Sequence, residues 1–375
     1  MDKSRTALIL TGGGARAAYQ VGVLLAIGDL LPDARRIPFS IISGTSAGAV
    51  NALALACSAH NFRGAVQTLA DLWGNITAAQ IYRVDALSVV GAGLRWLATT
   101  LFGGLCKQTP RSLLDNTPLR RLLKRWLDFR RIERALASGA LRAVSVTASG
   151  YATGESVSFF QARDDVEPWE RTNRLGSRTQ LTVDHVLAST AIPLIFPAVY
   201  INREYFGDGS MRQMAPISPA IHLGARKILV IGAGPLIFRA ERQHSRIYPT
   251  PAQIAGHVLS ALFLDTLAVD IERMQRINRT LAAIPKGPRE HIPLRPITAL
   301  IISPSERLDD LAARHVHALP RSLRWLLRGI GAMNRRGGAL ASYLLFERNY
   351  TQALIDLGHK DTMARAVQVR AFFAL

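Results

Sequence analysis

The feature that most constrains this chain is the stretch Ser40-Ile-Ile-Ser-Gly-Thr-Ser-Ala-Gly-Ala-Val50. It opens on β-branched apolar residues, the end of a buried strand. From Ala47 through Ala56 it continues in residues that favour helix. Between the two lies Gly44-Thr45-Ser46-Ala47-Gly48, a fit to G-x-S-x-G, the tight turn that lifts a serine out of a sheet onto a helix N-terminus. Gly44 and Gly48 keep bare a turn that leaves no room for a Cβ on either side. The helix start places unpaired N–H groups and a positive dipole end beside any charge forming on a substrate oxygen. Ser46 is therefore a candidate nucleophile, the alternative being a serine in a chance turn.

A second strand–loop–helix precedes it. Thr6-Ala-Leu-Ile-Leu10 reads as a short buried strand, followed by Thr11-Gly12-Gly13-Gly14-Ala15-Arg16 and a helix from Ala17 to Leu31. In open α/β sheets, loops at the carboxyl ends of strands are where ligands bind. Three consecutive glycines let several N–H groups converge on one anion, as an oxyanion hole or a phosphate cradle. Arg16 could fix this loop or attract a negative head group. A rival reading exists, because Gly12-x-Gly14-x-x-Ala17, with Asp29 or Asp33 downstream, also fits the loose dinucleotide fingerprint. The serine turn that follows favours hydrolysis, since an acyl-transfer serine needs an oxyanion hole close by.

Further along, Ala65 to Asp128 reads mostly as helix, broken at Gly103-Gly104 and Thr109-Pro110, with an apolar patch at Leu94, Trp96, Leu97, Leu101 and Phe102. Pro118 to Leu127 is a basic amphipathic helix, either a core-facing leucine stripe with a solvated arginine face or a membrane-surface contact. Strands are expected at Ala143–Ala148 and Val157–Phe160, a helix at Val183–Thr190, and a hairpin from Tyr200-Ile201 to Glu204–Phe206. That hairpin ends in Gly207-Asp208-Gly209-Ser210. Flanking glycines let a carboxylate approach another group closely, although an ordinary Asp-Gly turn has the same letters. Lys227–Ile231 and Ala299–Ser303 read as strands, separated by a basic loop (Arg239 to Pro251) and a long helix (Ala252 to Ile284). The remainder is expected to be helical over 308–318, 320–333 and 340–357. Within it Arg321, Arg324, Arg328, Arg335 and Arg336, with Trp325, Leu326, Leu327 and Ile330, form the best membrane-surface candidate. The fold class is α/β, with residues 1–235 as the catalytic part and 236–375 as a mainly helical region packed on it or continuing it.

The chain carries 46 Lys and Arg against 27 Asp and Glu, a formal charge of +19. Such a protein is drawn to polyanions, an anionic membrane surface among them, unless the bias is merely compositional. The arginines are scattered, without the aromatic-interleaved basic patch of a nucleic-acid binder, so no specific nucleic acid is expected. Cys57 and Cys106 make no metal-binding pattern, and Cys57 reads as a core residue. The N-terminus lacks the apolar core of a signal peptide, and no uninterrupted apolar run has membrane-spanning length. A cytoplasmic protein is expected, in peripheral contact with a membrane through its arginine-rich helices.

Four blocks, in this order, resemble the patatin-like phospholipase family: Gly12-Gly13-Gly14-x-Arg16, Gly44-Thr45-Ser46-Ala47-Gly48, Ala188-Ser-Thr-Ala-Ile-Pro193 with Phe196-Pro197, and Asp208-Gly209. The resemblance covers about residues 6 to 222. It implies a three-layer fold with a mostly parallel central sheet. It implies that Ser46 is the nucleophile and Asp208 its direct partner, with no histidine between them. Gly12, Gly13 and Gly14 would form the oxyanion hole, with Arg16 shaping that loop. Gly44, Thr45, Ala47 and Gly48 would build the nucleophile turn, and Gly207 and Gly209 would support the aspartate. The implied substrates are acyl esters of phospholipids or other lipids, cleaved through an acyl-enzyme, with no metal or other cofactor. One departure is Ser210, where the family commonly has glycine or alanine. The nearest alternative is a Ser-His-Asp hydrolase, which requires one of His222, His244, His257, His291, His315, His317 or His359.

Overall fold

In the computed structural model, one mixed sheet of ten strands organises the described residues, which are 5–85, 91, 112–234, 248–285, 292, 294–333 and 337–374. The strands are β1 (Thr6–Leu10), β2 (Ile41–Thr45), β3 (Ala143–Gly150), β4 (Ser156–Ala162), β5 (Trp169–Arg171), β6 (Arg174–Arg178), β7 (Val199–Ile201), β8 (Glu204–Asp208), β9 (Lys227–Ile231) and β10 (Thr298–Ile302). Their order is β10-β9-β1-β2-β3-β4-β6-β5, with β8 on β3 and β7 on β8. From β10 to β3 the neighbours are parallel. β4 turns back antiparallel on β3, as the expected hairpin. The patch from Leu94 to Phe102, both breaks, Cys106, Lys107, the loop from Arg239 to Arg246, His244, His291, Arg335 and Arg336 lie outside the described residues.

β1 and β9 are mostly apolar because both faces of the sheet are covered, whereas β2 and β3 also bury the hydroxyls of Ser43, Thr45, Ser145 and Thr147. Leu8, Leu10, Ile42, Leu229 and Ile231 point into one core, while Ala7, Ile9, Ile41, Ile228 and Val230 point into a second. On the first side pack α1 (Ala18–Leu30), α2 (Ala47–Cys57) and α3 (Phe62–Gly74). Then come α4 (Thr117–Trp126) and α5 (Val183–Ser189). The second core takes Leu267, Ile271 and Met274 from α6 (Pro251–Ala283). α7 (Leu308–His315), α8 (Gly338–Leu344) and α9 (Arg348–Met363) follow.

The region beyond residue 236 joins the same sheet and core. β10 extends the parallel ladder beside β9. α9 lies so close to α1 that a Cβ on Gly22 would sit 1.9 Å from the Ile355 carbonyl oxygen, and one on Gly358 2.2 Å from that of Tyr19. The single helix expected over 340–357 is two, α8 and α9, broken at residues 345–347. The hairpin β5–β6 was not expected from the sequence. Its residues are charged because it forms the outer edge of the sheet, where charge blocks further pairing.

α6 also differs from expectation in one respect. Its most apolar window has a mean hydropathy of 1.6 and is 33% buried, so by length and composition it could cross a membrane. The sequence reading found no such segment because Gln253, His257 and Asp265 interrupt the apolar run. Leu259, Phe263, Leu267, Ile271 and Met274 are buried in the protein, whereas Ile254, Val258 and Val269 are exposed. The two basic helices turn their leucines inward: Leu119 and Leu123 in α4, Leu323 and Leu327 in Arg321–Gly329.

Candidate active site

The site is made where two strands meet end to end on one edge of β3. β2 runs parallel along β3 until Thr45 pairs with Thr147. β8 arrives antiparallel, and its last residue, Asp208, pairs with the next position, Ala148. Ser46 and Asp208, 162 residues apart, are thereby brought to adjacent registers of one strand. Ser46 Oγ donates to Asp208 Oδ2 at 2.5 Å.

Local chemistry holds both ends. Ser46 has φ 53°, a left-handed conformation costly for a residue with a side chain and typical of a functional turn. Its N–H donates to Ser189 Oγ at 2.8 Å, and that hydroxyl donates to the Thr147 carbonyl at 2.6 Å. Gly48 must be glycine, since a Cβ there would lie 2.2 Å from the Leu10 carbonyl oxygen. Gly209 is held the same way, 2.1 Å from the Thr147 carbonyl oxygen. Asp208 Oδ1 accepts from the N–H of Ser210 at 2.9 Å. Thr45 Oγ1 donates to Gln213 Oε1 at 2.8 Å, which ties the segment after Asp208 back to β2. Burial raises the Asp208 carboxyl to about 6, against the hydrogen bonds from Ser46 and Ser210, which favour its charged form.

The glycine loop lies beside this pair. A Cβ on Gly12 would meet Ser210 Oγ at 2.5 Å and the Phe263 ring at 2.6 Å, and Gly14 has φ +54°. Among the described residues the N–H groups of Gly12, Gly13 and Gly14 meet no acceptor. The loop is fixed from behind by buried side chains. Gln20 Nε2 donates to the Thr11 carbonyl at 2.8 Å, Asn51 Nδ2 to Gln20 Oε1 at 3.0 Å, and Trp73 Nε1 to Asn51 Oδ1 at 2.8 Å.

Arg16 does not reach for a head group. It is 2% exposed, donates from Nε to Ser342 Oγ at 2.8 Å, forms an ion pair with Asp309, and stacks 4.0 Å over the Tyr343 ring. Burial opposes its charge, but nearby Tyr343 and Asp309 hold its pKa above the ordinary value. Its guanidinium thus binds the start of α1 to α7 and α8.

Gly14, Ser46 and Ala47 open into a cavity walled by Val50, Leu72, Trp73, Ile76 and Ile81, by Leu119, Leu122, Leu123 and Trp126 of α4, and by Ile192, Phe196 and Phe346. Thr190 also borders it. The block Ala188–Pro193 thus supplies Ser189 behind the serine and Ile192 in the cavity wall.

The alternatives fare differently. Among the described residues no histidine bonds to Ser46 or Asp208. His222 stacks on Trp169, and His359 pairs with Asp29 at 3.0 Å. Asp29 is thereby engaged away from the glycine loop, Asp33 binds Arg35 on the surface, and β2 ends in the serine turn rather than in an acidic residue. Gln213, Gln20 and Asn51 are not legible in the sequence because isolated polar residues carry no pattern, and Ser189 is legible only as part of the Ala188–Pro193 block.

The chain is 28% identical over 217 residues to a cGAMP-activated phospholipase of Pseudomonas aeruginosa (strain BWHPSA011 / Pa011), a match covering 56% of this chain and 53% of that protein. The chain therefore spans about half the length of the curated relative it matches. Among solved structures it is similar to human GIVD cytosolic phospholipase A2 bound to methyl gamma-linolenyl fluorophosphonate and terbium chloride. There the TM-score is 0.44, with 14% identity over 100% of this chain and 60% of that one. VipD from Legionella pneumophila gives a TM-score of 0.35 and 13% identity over 94% and 67% of the two chains. A sequence model of the patatin-like phospholipases matches residues 8–221, more than half of the 375 residues, and with it the glycine loop, the serine turn and the Asp208 hairpin. The chain belongs to the patatin-like phospholipase family.

Proposed function

We propose that this protein is a lipid acyl hydrolase that cleaves carboxylic esters through a Ser46–Asp208 dyad. The observation that carries the reading is the Ser46 Oγ to Asp208 Oδ2 hydrogen bond at the mouth of an apolar cavity. Asp208 takes the hydroxyl proton as Oγ attacks the ester carbonyl carbon. The oxyanion that forms is met by the free N–H groups of the Gly12–Gly14 loop and by the N-terminal end of α2, where each well-placed donor is worth on the order of a hundredfold in rate. Collapse of the tetrahedral intermediate breaks the bond to the alcohol, which leaves with the proton held by Asp208. Water then attacks acyl-Ser46 and gives its proton to Asp208; the bond to Oγ breaks, Asp208 returns the proton to Ser46, and the carboxylic acid is freed. The scheme uses no metal or other cofactor. Peripheral contact with an anionic surface through the exposed arginines is part of the reading.

The test is hydrolysis of a panel of phospholipids and simple esters. Ser46→Ala and Asp208→Asn should each lower turnover by roughly a thousandfold or more while circular dichroism stays that of the wild type. A fluorophosphonate should label wild type and not Ser46→Ala. Wild-type turnover in either variant sinks the dyad.

A further inference from the structure

α2 carries small residues in a line: Ala47, Val50, Ala54 and Cys57, spaced three and four apart and therefore on one face of the helix. The line runs about 15 Å from Ser46 into the protein, at about 1.5 Å per residue. Two cavities lie along it. The inner one, with Ser46, Ala47 and Val50, is almost wholly apolar and only about 40 Å³ in volume. The outer one, with Ala54, Cys57, Ala65 and Thr68, is about 410 Å³ and also faces Lys124, Arg125 and Asp128. Trp126, at the end of α4, lines both.

We infer that Trp126 is the end wall of the acyl pocket and sets the length of acyl chain the enzyme accepts. The inference rests on the hydrolase reading above. A water-sized sphere needs about 10–15 Å³, so the inner cavity seats only the first few carbons of a chain lying along α2. Beyond Val50 the line of small side chains continues to Ala54 and Cys57 in the outer cavity, and Trp126 is the residue that borders both. Removing the indole joins the inner cavity to the outer cleft. The outer cleft is polar along one side, which limits the gain to medium-length chains.

The experiment measures kcat/KM on p-nitrophenyl acetate, butyrate, octanoate, decanoate and palmitate. Wild type should favour butyrate. In Trp126→Ala the decanoate-to-butyrate ratio should rise about tenfold, the effect of burying roughly two further methylenes. In Val50→Phe, which fills the inner cavity one turn from Ser46, the butyrate-to-acetate ratio should fall about tenfold. The pair guards against misfolding of either variant, since each ratio is read within one protein. An unchanged ratio in Trp126→Ala with Ser46 still labelled by fluorophosphonate overturns the inference, as does an unchanged ratio in Val50→Phe. Calorimetric binding of butyric and decanoic acids to Ser46→Ala, with and without Trp126→Ala, separates the two levels. A length shift in binding without ester turnover in the wild type defeats only the hydrolase reading, and turnover without a length shift defeats only the pocket.

Discussion

Asp208 is a fully buried carboxyl whose pKa is raised to about 6, chiefly by desolvation, and both its rate and its stability effects follow from that. In the proposed dyad it must be ionised to take the serine proton, so kcat should fall below an apparent pKa near 6, measured as a pH–rate profile. The stability effect has the opposite sense. A carboxyl with a raised folded-state pKa favours the folded state least above about 6, where it is charged in both states, and costs nothing below its unfolded value near 3.8. Asp208→Asn should therefore raise the melting temperature at pH 7, with the gain shrinking as pH falls from 6 toward 4, read by calorimetry. A constant difference across that range would remove burial as the cause of the shift. Ser46 and Asp208 were legible in the sequence because glycines announce them. Ser189 was visible only as part of a family block, and its role behind the serine N–H needed the fold. Arg16 was legible as important and not as to its partner, because an arginine's reach is not written in its neighbours.

At the scale of elements, α7 and α8 act as a brace for the glycine loop. Asp309 and Tyr343 hold Arg16, and a Cβ on Gly14 would lie 2.2 Å from the Tyr343 carbonyl oxygen, so loop and brace touch through backbone. Asp309→Ala leaves the guanidinium buried with half its support. The loss should be about 3 kcal/mol, at the low end for a broken buried pair because the Asp309 side chain is 26% exposed. Arg16→Met with Asp309→Leu should recover part of it, measured by urea unfolding. If the single and double variants melt alike, the pair does not hold the loop. The brace was not legible in advance. Helix periodicity announced 340–357 as one element, whereas the chain breaks before Arg348 and turns Phe346 into the cavity. The charged hairpin β5–β6 was missed for a related reason, since an edge strand needs no apolar alternation.

For the molecule as a whole, residues 1–235 and 236–375 share one sheet. We expect a chain ending at Gly234 to lack a cooperative thermal transition, since it loses β10, α9 and the Arg16 partners Asp309, Ser342 and Tyr343. A melt matching that of the intact protein would show two independent units. The chain carries a formal charge of +19. Arg5, Arg142, Arg226 and Arg295 cluster at the amino ends of the strands, where burial and their mutual repulsion hold the Arg295 pKa below its usual value. Ser46 lies at the opposite, carboxyl end, so a membrane docked on that rim, in the proposed reading, would face away from the site. For the proposed membrane contact the exposed line Arg321, Trp325 and Arg328 is better placed. Binding to anionic vesicles should weaken between low and physiological salt and drop further in Trp325→Ala, by sedimentation. Salt-independent binding would discard the electrostatic part. Finally, the side chains that secure Arg16 come 293 and more positions after it. On the ribosome Ser46 emerges early and the packing behind its glycine loop is completed late. If Ser46 is the proposed nucleophile, a half-made polypeptide is unarmed until the chain has grown past Tyr343.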